Sequence, residues 1–376
     1  MKIIGLIGKV VVGIMATALL VAGILLGWFR FGDWQSRAVR DVEFVHETIL
    51  AHHPGAVDPE NPDFLVQMDD ALARALPLAR SARSPSDHRA ALDAYTDVFA
   101  DGHLTVATIA DAPGVVSRAT ANRDQMSGTA GVDISGNSAW ITISSFNERT
   151  APIASITQSI EARAGTLRSL DRIVFDLRGN GGGDSAFGTR IARALWTADV
   201  YRDWVPVSAG GVDWRATADN AAHVHGIAEK HASRGRSEAA QSWTRLAERL
   251  DAAVAAGEDY ARQNFRTREI TRTLESPVSA DVIVITDDAC ASSCLNFMDE
   301  LLALPGVLHV GEETSSDTQY IDVRHVNLPS RVGRLFIPLK VYRDRRRPPG
   351  GTYVPQIAAD ASSLDAASLD ALTRSQ

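Results

Sequence analysis

Asp176-Leu177-Arg178-Gly179-Asn180-Gly181-Gly182-Gly183 follows directly on the apolar run Ile173-Val174-Phe175, and the reading of this junction decides the fold. A short apolar run that stops at glycines reads as a buried strand meeting its turn. Glycines at the C-terminal end of a strand allow positive φ and bring bare backbone N–H groups up against a ligand. An oxyanion hole or a phosphate cradle needs that arrangement. The phosphate reading finds no support, because no Gly-Lys-Ser/Thr follows and the GxGxxG spacing is missing. A glycine-rich strand end alone is often a plain tight turn, so the function of this one depends on its partners elsewhere in the chain.

Outward from this junction the pattern alternates between strand and helix. Period-two runs at 103–109, 131–134 and 139–143 predict strands, residues 153–167 predict a helix, and a second helix is expected over 186–196. Strands are expected again at 281–286, 307–310 and 334–339, with a helix from Ser293 to Leu304. Residues 216–264 are rich in Ala, Glu and Arg and carry Trp243, Leu246, Leu250 and Val254 at helical spacing, which predicts a helical insertion. The expectation is an α/β core over 103–356, preceded by a helical domain at 34–102 and followed by a C-terminal tail at 357–376. In the helical domain, Val42-Val45-Ile49 and Leu65-Met68-Leu72-Leu76 recur every three or four residues, and Ser84-Pro85-Ser86-Asp87 caps a further helix. No internal repeat is present.

The 376 residues are 45% hydrophobic and 22% charged, the balance of a globular protein. A net charge of −8, with Arg343 to Arg347 as the one short basic cluster, excludes a nucleic-acid footprint; that cluster reads as a solvated loop. Residues 10–28 form an uncharged apolar run of about 19, close to the length of a membrane-spanning helix. With Lys2 and Lys9 before it and no Ala-x-Ala site after it, residues 1–33 read as a single-pass anchor in preference to a cleaved signal peptide. A short N-terminus inside, with the large domain in the periplasm, is the simplest topology. Cys290 and Cys294 are the two cysteines; they either bridge locally or stand as two small buried thiols. No metal-ligand spacing and no cofactor motif is present. Nothing in the sequence specifies an oligomeric state.

Ala289-Cys290-Ala291-Ser292-Ser293-Cys294 lies between the strand at 281–286 and the helix from Ser293. A serine there sits at a helix N-terminus, where the following N–H and the positive helix end stabilise an oxyanion. The plainer reading of such a serine is an N-cap. A nucleophilic hydroxyl also needs a base. His103, in Asp101-Gly102-His103-Leu104, is the best-placed histidine. Lys230 falls in the helical insertion, and Lys340, at a strand end, is expected to snorkel to solvent.

Taken together, Asp101-Gly102-His103, the 176–183 run, 290–294 and Val310-Gly311-Glu312-Glu313-Thr314 resemble the S41 family of serine peptidases, the tail-specific and tricorn-type enzymes, over roughly residues 40–356. The resemblance implies a crotonase/ClpP-like core of ββα units. It implies Ser292 as nucleophile, His103 as base, and an oxyanion hole from an amide of the Gly182-Gly183 pair and that of Ser293. The chain departs from the tail-specific branch where that branch carries a catalytic lysine, since Ser315-Ser316-Asp317 stands there. No glutamate occurs after Glu313, so the acid that orients His103 is left among Glu313, Asp317 and Asp322. No PDZ module fits between His103 and Asp176. The resemblance thus points to a membrane-anchored serine endopeptidase acting on unstructured polypeptides. A catalytically inactive peptide- or ligand-binding envelope protein on the same scaffold is the alternative.

Overall fold

The computed structural model describes residues 33–108, 130–207, 210–265 and 268–373. The expected anchor lies outside them. Among the described residues no helix is long and apolar enough to cross a membrane.

Residues 33–100, 104–108 and 325–337 form one compact unit. Its bundle consists of α1 (Trp34–His52), α2 (Phe64–Ser81) and α3 (Pro85–Thr96). The three- and four-residue spacing places Val42, Val45 and Ile49 of α1 and Leu92 and Tyr95 of α3 in a fully covered core, but on α2 the covered stripe is Phe64, Met68, Ala71 and Ala75. Of the expected Leu65, Met68, Leu72 and Leu76, Leu65 is exposed and Leu72 and Leu76 are half-buried, because the small alanines let the neighbouring helices approach. The Ser84 hydroxyl accepts from Asp87 N–H at 3.2 Å, the cap that the sequence announces. Strand β1 (Thr105–Thr108) pairs antiparallel with residues 333–336 of β10 (Gly333–Tyr342).

The second unit holds residues 101–103, the described residues from 130 to 324, and 338–373. Its six-stranded sheet has the order β11-β8-β7-β4-β3-β2, built from β2 (Gly131–Ser135), β3 (Ser138–Thr142), β4 (Arg172–Asp176), β7 (Asp281–Thr286), β8 (Val307–Gly311) and β11 (Ile357–Ala358). All neighbours are parallel except the β2–β3 hairpin. Side-chain alternation assigns the two faces. Ile173, Phe175, Val282 and Val284 face α4 (Ile153–Arg168), α5 (Ser185–Trp204) and α8 (Ser293–Leu301), whereas Val174, Ile283, Ile285 and Val310 cluster with Leu364 and Leu369 of the C-terminal segment. Residues 357–373 are therefore no loose tail: β11 extends the sheet, and α9 (Ala366–Thr373) follows it.

Residues 216–264, expected as wholly helical, contain α6 (Ala218–Ser233) and α7 (Ser237–Ala256) but end in strand β6 (Tyr260–Gln263). That strand pairs with β5 (Val212–Arg215), which pairs with residues 340–342 of β10. Both short strands carry charge, and Arg262 and Arg343 converge on the carboxylate of Asp213, at 2.8 and 2.7 Å. Such pairing hides the alternation from a pattern based on hydrophobicity. It also overturns the solvated reading of the arginine cluster, because Arg343 and Arg347 are both only 5% exposed. Lys340 likewise does not reach solvent: it is buried, 2.6 Å from the Asp322 carboxylate, with its ammonium over the Trp214 ring. Strand β9 (Tyr320–Asn327) was concealed in the same way, its Arg324 being buried against Asn220 at 2.7 Å.

Candidate active site

Two loops meet at the C-terminal ends of adjacent parallel strands, the usual place for ligands in such sheets. The loop after β4 is held by its own motif. Arg178 pairs with Asp176 at 2.7 Å and reaches the carbonyls of Ala361 and Leu364, at 2.6 and 3.1 Å. Gly179 N–H donates to the Asp287 carboxylate, 2.9 Å away, beyond the end of β7. Asn180, fully buried, donates from Nδ2 to the Ile143 carbonyl at 2.8 Å and accepts from Gly182 N–H at 2.9 Å through Oδ1. Its own carbonyl accepts from Ala291 N–H at 3.2 Å, which ties this loop to the one after β7.

Gly182 and Gly183 have φ of 99° and 142°, values that favour glycine. A Cβ on Gly182 would lie 2.8 Å from Ser292 Cβ and 2.9 Å from Ser293 N. Glycine is thus required for the two loops to touch. The Gly182 N–H, expected as one of the possible oxyanion donors, is taken by Asn180, which leaves Gly183 as the member of the pair with a free amide. The N–H groups of Gly183 and Ser293 donate to no acceptor among the described residues.

Ser292 immediately precedes α8 and adopts φ 55°, ψ −116°, a conformation that costs a non-glycine residue about 1–3 kcal/mol. Its hydroxyl makes no capping bond. The N-cap reading therefore fails. The Ser292 Oγ instead lies 3.0 Å from His103 Nε2. Sharp strand-to-helix turns of this kind lift a serine hydroxyl clear of its own backbone. Ser293, the neighbouring serine, points elsewhere, donating to the Gly183 carbonyl at 2.7 Å. Cys290 and Cys294 form a disulfide that spans this turn.

His103 is held by the residue two positions before it. Asp101 Oδ1 accepts from His103 N–H at 2.8 Å and lies 3.4 Å from Nδ1, while Oδ2 accepts from Thr318 Oγ1 at 3.0 Å. A proton on Nδ1, facing that carboxylate, leaves Nε2 free to accept from a serine hydroxyl. Burial alone would lower the imidazole pKa, but the Asp101 carboxylate, aided by Asp317 and Asp322, outweighs it and holds the value above the ordinary imidazole range. The acids named from sequence do not touch His103. Glu313 accepts from Thr352 Oγ1, Asp317 is buried between Arg345 and Arg347, and Asp322 pairs with Lys340. Asp317 and Asp322 reach the imidazole only through their field. Asp101 stands in the same three-residue motif as His103, where the sequence shows it only as a neighbour in the turn.

The Gly-Glu-x-Thr segment is architectural. Gly311 has φ 111°, with a Cβ position 2.5 Å from the Thr286 carbonyl; Glu312 accepts from Ala361 N–H at 3.0 Å, and Thr314 Oγ1 from Tyr353 N–H at 2.9 Å. Among the described residues no cluster of His, Cys, Asp or Glu could hold a metal ion. A cavity of about 410 Å³, lined by Trp140, Val174, Arg178 and Leu369, opens on the opposite face of the sheet and includes neither Ser292 nor His103.

No protein-family profile and no curated protein matches the chain in sequence. Its structure is similar to that of mature CPAF, with a TM-score of 0.54 at 9% identity over 87% of this chain and 94% of CPAF. The photosystem II D1 C-terminal processing protease is also similar over 66% of this chain and 49% of its own length, at 15% identity and a TM-score of 0.33. A candidate S41 protease from Bacteroides fragilis is similar over 65% and 57%, at 13% identity and a TM-score of 0.37. The chain shares the fold of mature CPAF.

Proposed function

We propose that this protein is a serine endopeptidase that cleaves unstructured polypeptides, with Ser292 as nucleophile and His103 as general base. The observation that carries the reading is the 3.0 Å contact between His103 Nε2 and Ser292 Oγ, at a serine that forgoes its capping bond. In the proposed reaction Ser292 Oγ attacks the peptide carbonyl carbon as its proton passes to Nε2. The resulting oxyanion is received by the N–H groups of Gly183 and Ser293. The carbon–nitrogen bond then breaks while the imidazolium returns that proton to the leaving amine. Water, deprotonated by the same imidazole, attacks the acyl ester and frees Ser292. Asp101 keeps the proton on Nδ1 and stabilises the imidazolium between the two halves of the cycle. The six-stranded sheet with α4, α5 and α8 serves as the crotonase/ClpP-type core in this reading.

The apolar run at 10–28 is proposed to anchor the chain in the inner membrane with the catalytic unit in the periplasm. The Cys290–Cys294 bridge supports that placement, since disulfides persist in oxidising compartments. The test is turnover of unfolded casein by the full chain and by Ser292→Ala. A loss of at least ~10³-fold in kcat is expected. Unchanged turnover in the variant would refute the assignment.

A further inference from the structure

We infer that a one-way chain of side-chain hydrogen bonds, running from Arg345 through Asn296, Ser185 and Ser293 to the Gly183 carbonyl, positions the two free amides of the candidate site. The inference rests on the proposed function and assigns to it three positioning residues, Ser185, Asn296 and the side chain of Ser293.

The direction of the chain is forced by chemistry. The Arg345 guanidinium only donates, so Asn296 presents Oδ1 to it. The Asn296 amide nitrogen then faces Ser185 Oγ, 2.8 Å away. Ser185, accepting from that nitrogen, spends its own proton on Ser293 Oγ at 2.9 Å. Ser293 in turn donates to the Gly183 carbonyl at 2.7 Å, where the chain ends on a group that can only accept. Each hydroxyl proton in the chain is used once. The charged end is fixed as well: Arg345 lies 3.2 Å from Asp317 and 3.4 Å from Asp299, and its side chain is only 10% exposed.

The consequence falls on the two amides. Gly183 belongs to the loop after β4 and Ser293 to the turn after β7, so nothing in the covalent chain keeps their N–H groups in register. On one side, Phe146 N–H at 2.9 Å and Ser145 Oγ at 3.2 Å hold the Gly182 carbonyl. Across the same trans peptide, the Gly183 N–H must then point the other way. On the other side, the Ser293 hydroxyl latches the next carbonyl, that of Gly183, to the residue that supplies the second amide. Removing that hydroxyl leaves both N–H groups in the chain but unlatches one from the other.

The test uses the full chain and a fluorophosphonate probe, whose phosphoryl oxygen gains negative charge as a serine attacks. The inactivation rate constant kinact, the probe affinity Ki, the labelled residue and the thermal midpoint are measured for wild type, Ser293→Ala, Ser185→Ala, Ser185→Thr and Asn296→Asp. Asn296→Asp keeps size and the Arg345 contact but cannot donate to Ser185. The expected result is a fall in kinact of about 10- to 100-fold in Ser293→Ala and roughly tenfold in Ser185→Ala and Asn296→Asp, less than the loss of a whole donor. Ki and thermal midpoint should stay near wild type, and Ser185→Thr should recover the rate. If Ser293→Ala does not fold, the two peripheral variants decide. A wild type labelled at Ser292, with kinact within twofold in the variants, overturns the relay alone. A folded wild type that gives no Ser292 adduct overturns the proposed function, and the relay falls with it.

Discussion

Replacing Gly182 by alanine probes the way the two loops are packed. The added methyl would sit 2.8 Å from Ser292 Cβ, 2.9 Å from the Ala291 carbonyl and 2.9 Å from Ser293 N, all at least 0.5 Å inside ordinary van der Waals contact, which begins near 3.4 Å. Two of these three neighbours are backbone, so the methyl cannot be relieved by a rotamer change. The φ of 99° adds strain of about 1–3 kcal/mol for a residue with a Cβ. The least costly relief moves the Ser292 turn away from the glycine loop by roughly half an ångström, and a displacement of that order costs about 10²-fold in a positioned reaction. Because the Gly182 N–H already serves Asn180, this loss is steric and removes no oxyanion donor. The assay is casein turnover, with KM and kcat separated and the thermal midpoint followed in parallel. A fall of about 10²-fold, carried mostly by kcat, with a thermal shift of only a few degrees, is expected. Wild-type kcat in a folded Gly182→Ala protein would refute the claim that Ser292 must sit against bare backbone.

Three further predictions concern the groups around that contact. Neutral His103 is the active form, so kcat/KM should rise with pH through a midpoint above that of an ordinary imidazole; Asp101→Asn should move that midpoint down, with kcat reduced on the order of 10²- to 10⁴-fold, and an unmoved midpoint would remove Asp101 from the site. The linked stability runs the opposite way with pH. A raised folded-state pKa contributes stability that is present below the unfolded value and lost as pH rises through the folded one, so the contribution of His103 should fade as pH rises past the ordinary imidazole range in wild type and shrink in Asp101→Asn, as read from urea midpoints against pH. Asn180→Ala leaves Gly182 N–H and the Ile143 carbonyl without their partner and should destabilise the fold by about 2–4 kcal/mol in urea titration; a change under ~0.5 kcal/mol would contradict its role as the link between loops. Arg347→Met leaves the buried Asp317 carboxylate paired with Arg345 but not with Arg347 and should cost about 1–3 kcal/mol, whereas the same change in an Asp317→Leu background should cost less.

What could be read from sequence was whatever rests on apolar periodicity or on a motif with a fixed stereochemical task. The run at 173–175 with its glycines, the helical spacing of α1 and α3 in the first unit and the pairing of His103 with Ser292 all belong to that class. The missed features depended on charge met across the fold. Strands β5, β6 and β9 and the Arg343–Arg347 segment carry polar residues that a hydropathy pattern assigns to solvent. Asp213 and Asp317 neutralise the arginines, and Asn220 accepts a hydrogen bond from Arg324, only after folding. Asp101 was missed for a different reason: an acid two residues from its histidine looks like a turn former, and here it also caps the His103 N–H. The division of labour within Gly182-Gly183 was likewise not legible, since it depends on where the Asn180 side chain goes.

The central claim is that Ser292 is an activated hydroxyl and Ser293 is not. The direct measurement is peptide mapping of the fluorophosphonate adduct on the full chain, beside a His103→Ala control. A single adduct on Ser292 that disappears in the control is expected; an adduct on Ser293, or one that survives loss of the imidazole, would contradict the claim.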